Sequence, residues 1–183
     1  TSAADALTTA GNMLHGLGWR AGQPWLQEIT VPEGLDWAQT GLNHELSMAD
    51  WQAMGVKGRS KGLPSGLRGS VLLPMGRKGP AFMAFPNFRV YFEWNQSFVY
   101  VTSAAYMATR LEGAPPYAPG HPDPALPDAQ MRSLQKKLAA MGHDVGKIDG
   151  ILGEKTREAV QTEQQRLGLP ADAWPTRALL DAL

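Results

Sequence analysis

The 183-residue chain contains no cysteine, which removes disulfides, zinc-thiolate centres and thiol nucleophiles at once. It has no excess of either charge: 17 Lys and Arg balance 17 Asp and Glu, and no basic run occurs. A nucleic-acid or anionic-membrane role therefore has no electrostatic support. No stretch approaches the roughly 18 consecutive apolar residues of a membrane span. There is no signal-peptide pattern and no initiator methionine. An amphipathic pattern is already under way after Thr1 and Ser2, which reads as a processed or truncated product.

The four histidines are scattered, and none has metal-ligand spacing; no phosphate-binding glycine loop or nucleophile elbow occurs, so no cofactor or metal is expected. What is present is an ordinary apolar fraction of 43%, enough for a real core. Aromatics are concentrated between Asn87 and Arg110, where Phe88, Tyr91, Phe92, Trp94, Phe98, Tyr100 and Tyr106 alternate with Asn95, Gln96 and Ser97. Aromatic platforms beside amides suit a neutral, hydroxyl-rich polymer; a buried aromatic helix pair with a polar turn explains the same composition.

Ser2 and Asp5 form a capping-box pattern ahead of Leu7, Ala10, Leu14 and Leu17 at helical spacing. Residues 28–31, 69–74 and 81–86 read as strands, and Ser47 with Asp50 opens a short helix carrying Trp51 and Met54. The Gly-rich, basic stretch 57–69 reads as a mobile solvated loop. Two helices follow, about 88–94 and 97–112. In the longer, Tyr100, Ala104, Met107 and Leu111 form one apolar stripe and Phe98, Val101, Ala105 and Ala108 another, so the spacing predicts a helix buried on two faces.

Residues 113–127 hold six prolines and read as a semi-rigid extended linker. Beyond it Asp128 reads as the cap of a helix with Met131, Leu134, Leu138 and Met141 on one face. The turn at 147–153 leads into a second helix ending near Leu167, and a third begins near Thr176. The predicted fold class is α+β, divided into 1–112, the 113–127 linker, and an all-α three-helix unit over 128–183.

The residues Leu134-Gln135, Leu138, Gly142, Asp149-Gly150, Gly153, Thr156, Ala159-Val160, Gln164, Gly168-Leu169, Asp172 and Leu179-Leu180 resemble the small three-helix peptidoglycan-binding domain of bacterial cell-wall enzymes. In the turn, Gly150 and Gly153 permit tight backbone, Asp149 can bond local amides, and Thr156 can seat the second helix. This copy departs from the family at Glu163, where an aromatic is usual, at Ala173, where glycine is usual, and at Trp174, where tyrosine is common. Position 163 lies on the stripe of Val160 and Leu167, so its charge has to reach solvent or weaken the core.

The first part resembles the C-terminal portion of lytic transglycosylases of the membrane-bound B type. The matching residues are Asp5-Ala6, Gly18-Trp19-Arg20, Gly22, Pro24-Trp25, Trp51, Gly55-Val56, Leu72-Leu73-Pro74, Gly79-Pro80-Ala81-Phe82, Asn87-Phe88 and Trp94-Asn95-Gln96-Ser97 with Tyr100. The resemblance implies part of a lysozyme-like helical lobe with a small β insertion. It also implies a cleft for peptidoglycan strands lined by Trp94, Asn95, Gln96 and Tyr100, and a periplasmic or cell-envelope location. The implied reaction is non-hydrolytic cleavage between N-acetylmuramic acid and N-acetylglucosamine, giving 1,6-anhydro ends; a non-catalytic cell-wall anchor is the alternative. The family's catalytic Glu lies upstream of the helix that opens this chain, so no catalytic residue is assigned here, and Glu93 reads as a rim residue. The missing part, or a second copy, is expected to cover the apolar surface that a partial lobe exposes.

Overall fold

Ser2 caps the first helix, α1 (Ala3–Gly16), as its sequence predicts: its hydroxyl accepts from the Asp5 amide at 3.1 Å, and the Asp5 carboxylate accepts from the Ser2 amide. The computed structural model describes residues 2–183; Thr1, which opens the expected first unit, lies outside them. No residue of α1 is buried, and Leu7 is 73% exposed.

Five strands form one antiparallel sheet: β1 (Leu26–Thr30), β2 (Leu46–Ser47), β3 (Lys57–Gly58), β4 (Arg68–Leu72) and β5 (Ala81–Ala84), in the order β2-β4-β5-β1-β3. β5 reads as a continuous apolar run, and β4 is buried from Gly69 to Leu72, because both faces of the sheet are covered. Strand alternation sends Val71, Ala81 and Met83 to one face, where they meet Trp51 and Val56. It sends Leu72, Phe82 and Ala84 to the other, where they meet Phe88, Phe98, Val101 and Ala105. Trp51 comes from α2 (Met48–Ala53), which carries its own Ser47–Asp50 capping box, and its indole donates to the Gly69 carbonyl at 2.8 Å.

Residues 57–69 are not the solvated loop their composition predicts. Lys57 and Gly58 pair with β1, the Gln27 amide donates to the carbonyls of Lys61 and Gly62, and Leu63 and Leu67 pack on the core. A Cβ at Gly58 would lie 1.9 Å from the Lys61 carbonyl oxygen, so the glycine is there for close backbone approach.

The aromatic stretch folds as α3 (Pro86–Trp94) and α4 (Phe98–Leu111). Only one stripe of α4 is buried. Phe98, Val101 and Ala105 lie against the sheet, whereas Tyr100, Met107 and Leu111 face outward, Leu111 at 79% exposure. Burial on two faces is therefore wrong for this helix: the sheet and α3 cover one side, and no described element covers the other. Asn87 is fully buried; its side chain accepts from the Arg20 amide and donates to the carbonyls of Arg20 and Gln23, tying α3 to the segment after α1.

The proline-rich segment contains no helix or strand, yet it is packed. Tyr117 lies against Phe82 and Tyr106, the His121 amide donates to the Lys78 carbonyl at 2.8 Å, and Leu126 enters the core of the following helices. Those helices are α5 (Asp128–Ala140), α6 (Glu154–Arg166) and α7 (Arg177–Ala182). Two details differ from expectation. Pro127 occupies the cap of α5, leaving Asp128 inside the first turn in an ion pair with Arg132, and Met141 is exposed at the end of that helix.

Candidate functional site

The Trp94–Tyr100 pair sits on the surface where α3 gives way to α4. Asn95 ends α3, and its side-chain oxygen accepts from the Ser97 amide at 3.0 Å; the Ser97 hydroxyl then accepts from the Tyr100 amide to cap α4. These local bonds set the sharp turn between the helices. Trp94 and Tyr100 form an edge-on pair with centroids 6.1 Å apart, and they are 46% and 49% exposed. Such half-exposed rings are available for stacking on an apolar sugar face. Among the described residues the Asn95 carbonyl oxygen is engaged and its amide nitrogen is free to donate.

The second group of predicted residues is held by a buried amide. The Gln135 side chain accepts from the Gly150 amide at 2.9 Å and donates to the Ile151 carbonyl and to the Thr156 hydroxyl, while Thr156 donates to the Val145 carbonyl. Asp149 accepts from the Ile151 amide, as its place in the turn predicts. Gly150 has φ of 80°, a conformation that strains any other side chain, and a Cβ there would lie 1.9 Å from Asp128 Oδ1 and displace that carboxylate, so glycine is strongly favoured. Gly153 differs: its φ is −82° and an added Cβ would meet nothing within 4 Å, so tight backbone is not the reason for a glycine there.

One cleft of about 810 Å³ brings the two groups together. Gln96, Ser97 and Glu93 line it from the α3–α4 turn, and Asp149, Gly153, Glu154 and Thr156 from the other side. Trp94, Asn95 and Tyr100 stand outside this lining, and Gly150 faces a neighbouring apolar cavity with Phe98, Thr102, Arg157 and Trp174.

Two of the residues that join the two halves, Arg157 and Gln161, belong to no motif read from the sequence. Arg157 is almost fully buried, donates to the carbonyl of Pro74 at 2.7 Å, and places its guanidinium 4.4 Å from the Phe98 ring centre. Burial pulls its pKa down to about 10, against the opposing pull of Glu154 and Asp172. The Gln161 amide nitrogen lies 3.0 Å from the carbonyls of Trp37, Thr40 and Ala171. Asp172 accepts from the Arg77 amide, and the Trp174 indole donates to the Asp123 carbonyl.

Glu154 is pushed up to about 7, chiefly by burial, with Arg157 opposing and Glu158 adding to the rise. Glu163 neither reaches solvent nor leaves a bare charge in the core. It is buried, with His143 at 2.8 Å and Arg166 at 2.6 Å. Burial works to raise its pKa, but the bonds to His143 and Arg166 outweigh it and leave it lowered. Among the described residues, no group of three or more His, Cys, Asp or Glu side chains is placed to hold a metal ion.

The family of the transglycosylase SLT domain matches residues 1–109. The chain belongs to this family. A peptidoglycan binding domain matches residues 127–183. Among solved structures, this transglycosylase-family chain is similar to SltB3 from Pseudomonas aeruginosa in complex with NAG-anhNAM-pentapeptide, at 41% identity and a TM-score of 0.82, over 99% of this chain and 50% of that one. The likeness to the same protein in complex with NAG-NAM-pentapeptide has the same identity, TM-score and coverage. The chain thus spans about half the length of these structures. No curated protein matches it.

Proposed function

We propose that the chain binds peptidoglycan glycan strands and forms part of a periplasmic lytic transglycosylase, which cleaves between N-acetylmuramic acid and N-acetylglucosamine and leaves 1,6-anhydro ends. The observation that carries this reading is family membership over residues 1–109 followed by a peptidoglycan binding domain over 127–183. The exposed Trp94–Tyr100 pair and the amides of Asn95 and Gln96 are the proposed sugar contacts, with 1–112, 113–127 and 128–183 as transglycosylase part, linker and binding module.

The proton donor comes from the part of the enzyme outside these residues. A general acid needs burial to raise its pKa. Glu93, the acid of the aromatic stretch, is exposed, and Glu154, the carboxyl that burial pushes up to about 7, lies in the binding module outside residues 1–109. The outward stripe of α4, with Met107 and Leu111, and the apolar residues Leu7 of α1 and Leu17 just after it are the surface that this remaining part covers. A dimer in size-exclusion chromatography would instead assign that surface to a second copy.

Sedimentation with purified sacculi tests the binding. The chain is expected to sediment and to release no anhydro-muropeptides, whereas the whole enzyme releases them. Trp94→Ala with Tyr100→Ala should weaken sedimentation without unfolding the chain. Release of anhydro-muropeptides by these 183 residues alone would refute the assignment of the acid elsewhere.

A further inference from the structure

The junction of the two halves holds a buried cation that no anion meets directly. Arg157 is 7% exposed; its guanidinium donates to the Pro74 carbonyl, yet its Nε is buried with no hydrogen-bond partner. Among the described residues it forms no ion pair. Of the two carboxyls that act on it, Asp172 pairs with Arg77 and Glu154 accepts from the Leu42 backbone amide. A buried charge is costly unless it is paired and fully hydrogen-bonded.

A second group beside it is also unsatisfied. Thr102 stands one turn beyond Phe98 on α4, and the Phe98 ring centre lies 4.4 Å from the guanidinium. A threonine within a helix commonly turns its hydroxyl back onto the carbonyl four residues earlier, as Thr109 and Thr162 do with Ala105 and Glu158. Thr102 does not: at 9% exposure its hydroxyl is buried and unpartnered. An N–H and an O–H left bare in one place call for a shared acceptor.

Both side chains line a cavity of about 560 Å³ between α4, the proline-rich segment and the C-terminal helices. That volume is in the range of about 300–1,000 Å³ typical of small-molecule sites. The rings of Phe82, Tyr106, Tyr117 and Trp174, with Leu152, make its walls largely apolar, and Arg157 is the one charged residue of its lining. Exposed Val99, Ser103 and Ala125 mark its open side. A hydroxyl-rich ligand would exchange water for apolar wall here, and an inorganic anion would leave the wall uncovered.

We propose that this cavity binds a single-chain apolar carboxylate of the fatty-acid class, whose carboxylate accepts from Arg157 Nε and the Thr102 hydroxyl while its hydrocarbon body lies among Phe82, Tyr106, Leu152 and Trp174. Charge-assisted hydrogen bonds fix the head group, and apolar burial holds the chain. Neither Trp94 nor Tyr100 lines the cavity, so the site is separate from the proposed sugar contacts and does not rest on the glycan reading. An occupant touches both α4 and the C-terminal helices, so its binding stabilises their junction.

Isothermal titration of the full 183-residue chain with octanoate, below its micelle concentration, tests the site. One octanoate should bind per chain and raise the melting temperature. The alcohol 1-octanol, which has the same chain without the charge, should bind about tenfold more weakly. Because Arg157 also joins the halves, the variants leave it in place. Thr102→Val keeps the shape and removes the hydroxyl; it should weaken octanoate by about tenfold and leave 1-octanol unchanged. Ala125→Trp, at the open side, should abolish binding of both with little change in melting temperature. Met107→Lys with Leu111→Lys, on the outward stripe of α4, should change neither. Absence of octanoate binding overturns the proposal, as do equal affinities for octanoate and 1-octanol, unchanged binding in a folded Ala125→Trp, or loss of binding in the double lysine variant. Should Ala125→Trp fail to fold, the two ligands on the unaltered chain and on Thr102→Val still decide.

Discussion

Ala173 holds a φ of 59°, the one positive value outside glycine among the described residues, at the position where the resembling domain carries glycine. A left-handed alanine costs about 1–2 kcal/mol, and the extra unfolded-state freedom of glycine offsets about 0.4–1 kcal/mol of any relief. Ala173→Gly should therefore stabilise the chain by about 0.5–1 kcal/mol in urea denaturation. Glu154 makes a second prediction. Its pKa is about 7 in the folded chain against 4.5 ordinarily, so between those values the folded state holds more proton than the unfolded one. Its contribution is fully present below about pH 4.5, is lost as pH rises to about 7, and is flat above that. Glu163 and Asp144, both lowered, act in the opposite sense at acidic pH. The difference between Glu154→Gln and the unaltered chain isolates the effect: it should be small at pH 4 and favour the variant at pH 8.

At the scale of elements, α4 separates stability from surface chemistry along one helix. Phe98 is 3% exposed in the core beneath the sheet, and Phe98→Ala should cost about 3–5 kcal/mol. Met107→Lys and Leu111→Lys, on the outward stripe, should change stability by no more than about 0.5 kcal/mol in the same denaturation series. A larger loss at either lysine would mean the stripe is covered within these residues. The capping boxes of α1 and α2 and the presence of strands at β4 and β5 were legible because they depend on neighbours in sequence. The fate of the second α4 stripe was not, because its apolar residues have the same periodicity whether or not something lies across them.

The whole molecule behaves as one unit through buried polar contacts. Gln161 reaches three carbonyls, two of them in the first half of the chain, and Arg157 reaches the Pro74 carbonyl. The proline-rich segment adds to the junction through Lys78, which pairs with Asp123 at 2.7 Å. Heating should therefore produce a single cooperative transition. Gln161→Ala should cost about 2–3 kcal/mol by leaving buried carbonyls unpartnered, and Arg157→Ala should split the calorimetric transition into two. A single unchanged transition in Arg157→Ala would show that the halves are coupled by packing and not by these bonds.

By itself the sequence determined the α+β class, the capping boxes of α1 and α2, and the turn chemistry of Asp149. The caps and the turn are decided by residues within a few positions of one another, where steric and hydrogen-bonding rules are local. The tertiary structure alone decided that 57–69 is pinned, that Glu163 is neutralised in place by His143 and Arg166, and that the linker is packed. It also decided that Gln96 and Asp149, some fifty positions apart, line one cleft. Helix α6 shows the physical reason most clearly. Its sequence is strongly polar, yet Arg157, Gln161 and Gln164 are buried, because backbone carbonyls and Asp172 contributed by other parts of the chain satisfy them. Polar burial depends on partners brought from a distance, and no periodicity within the helix reports them.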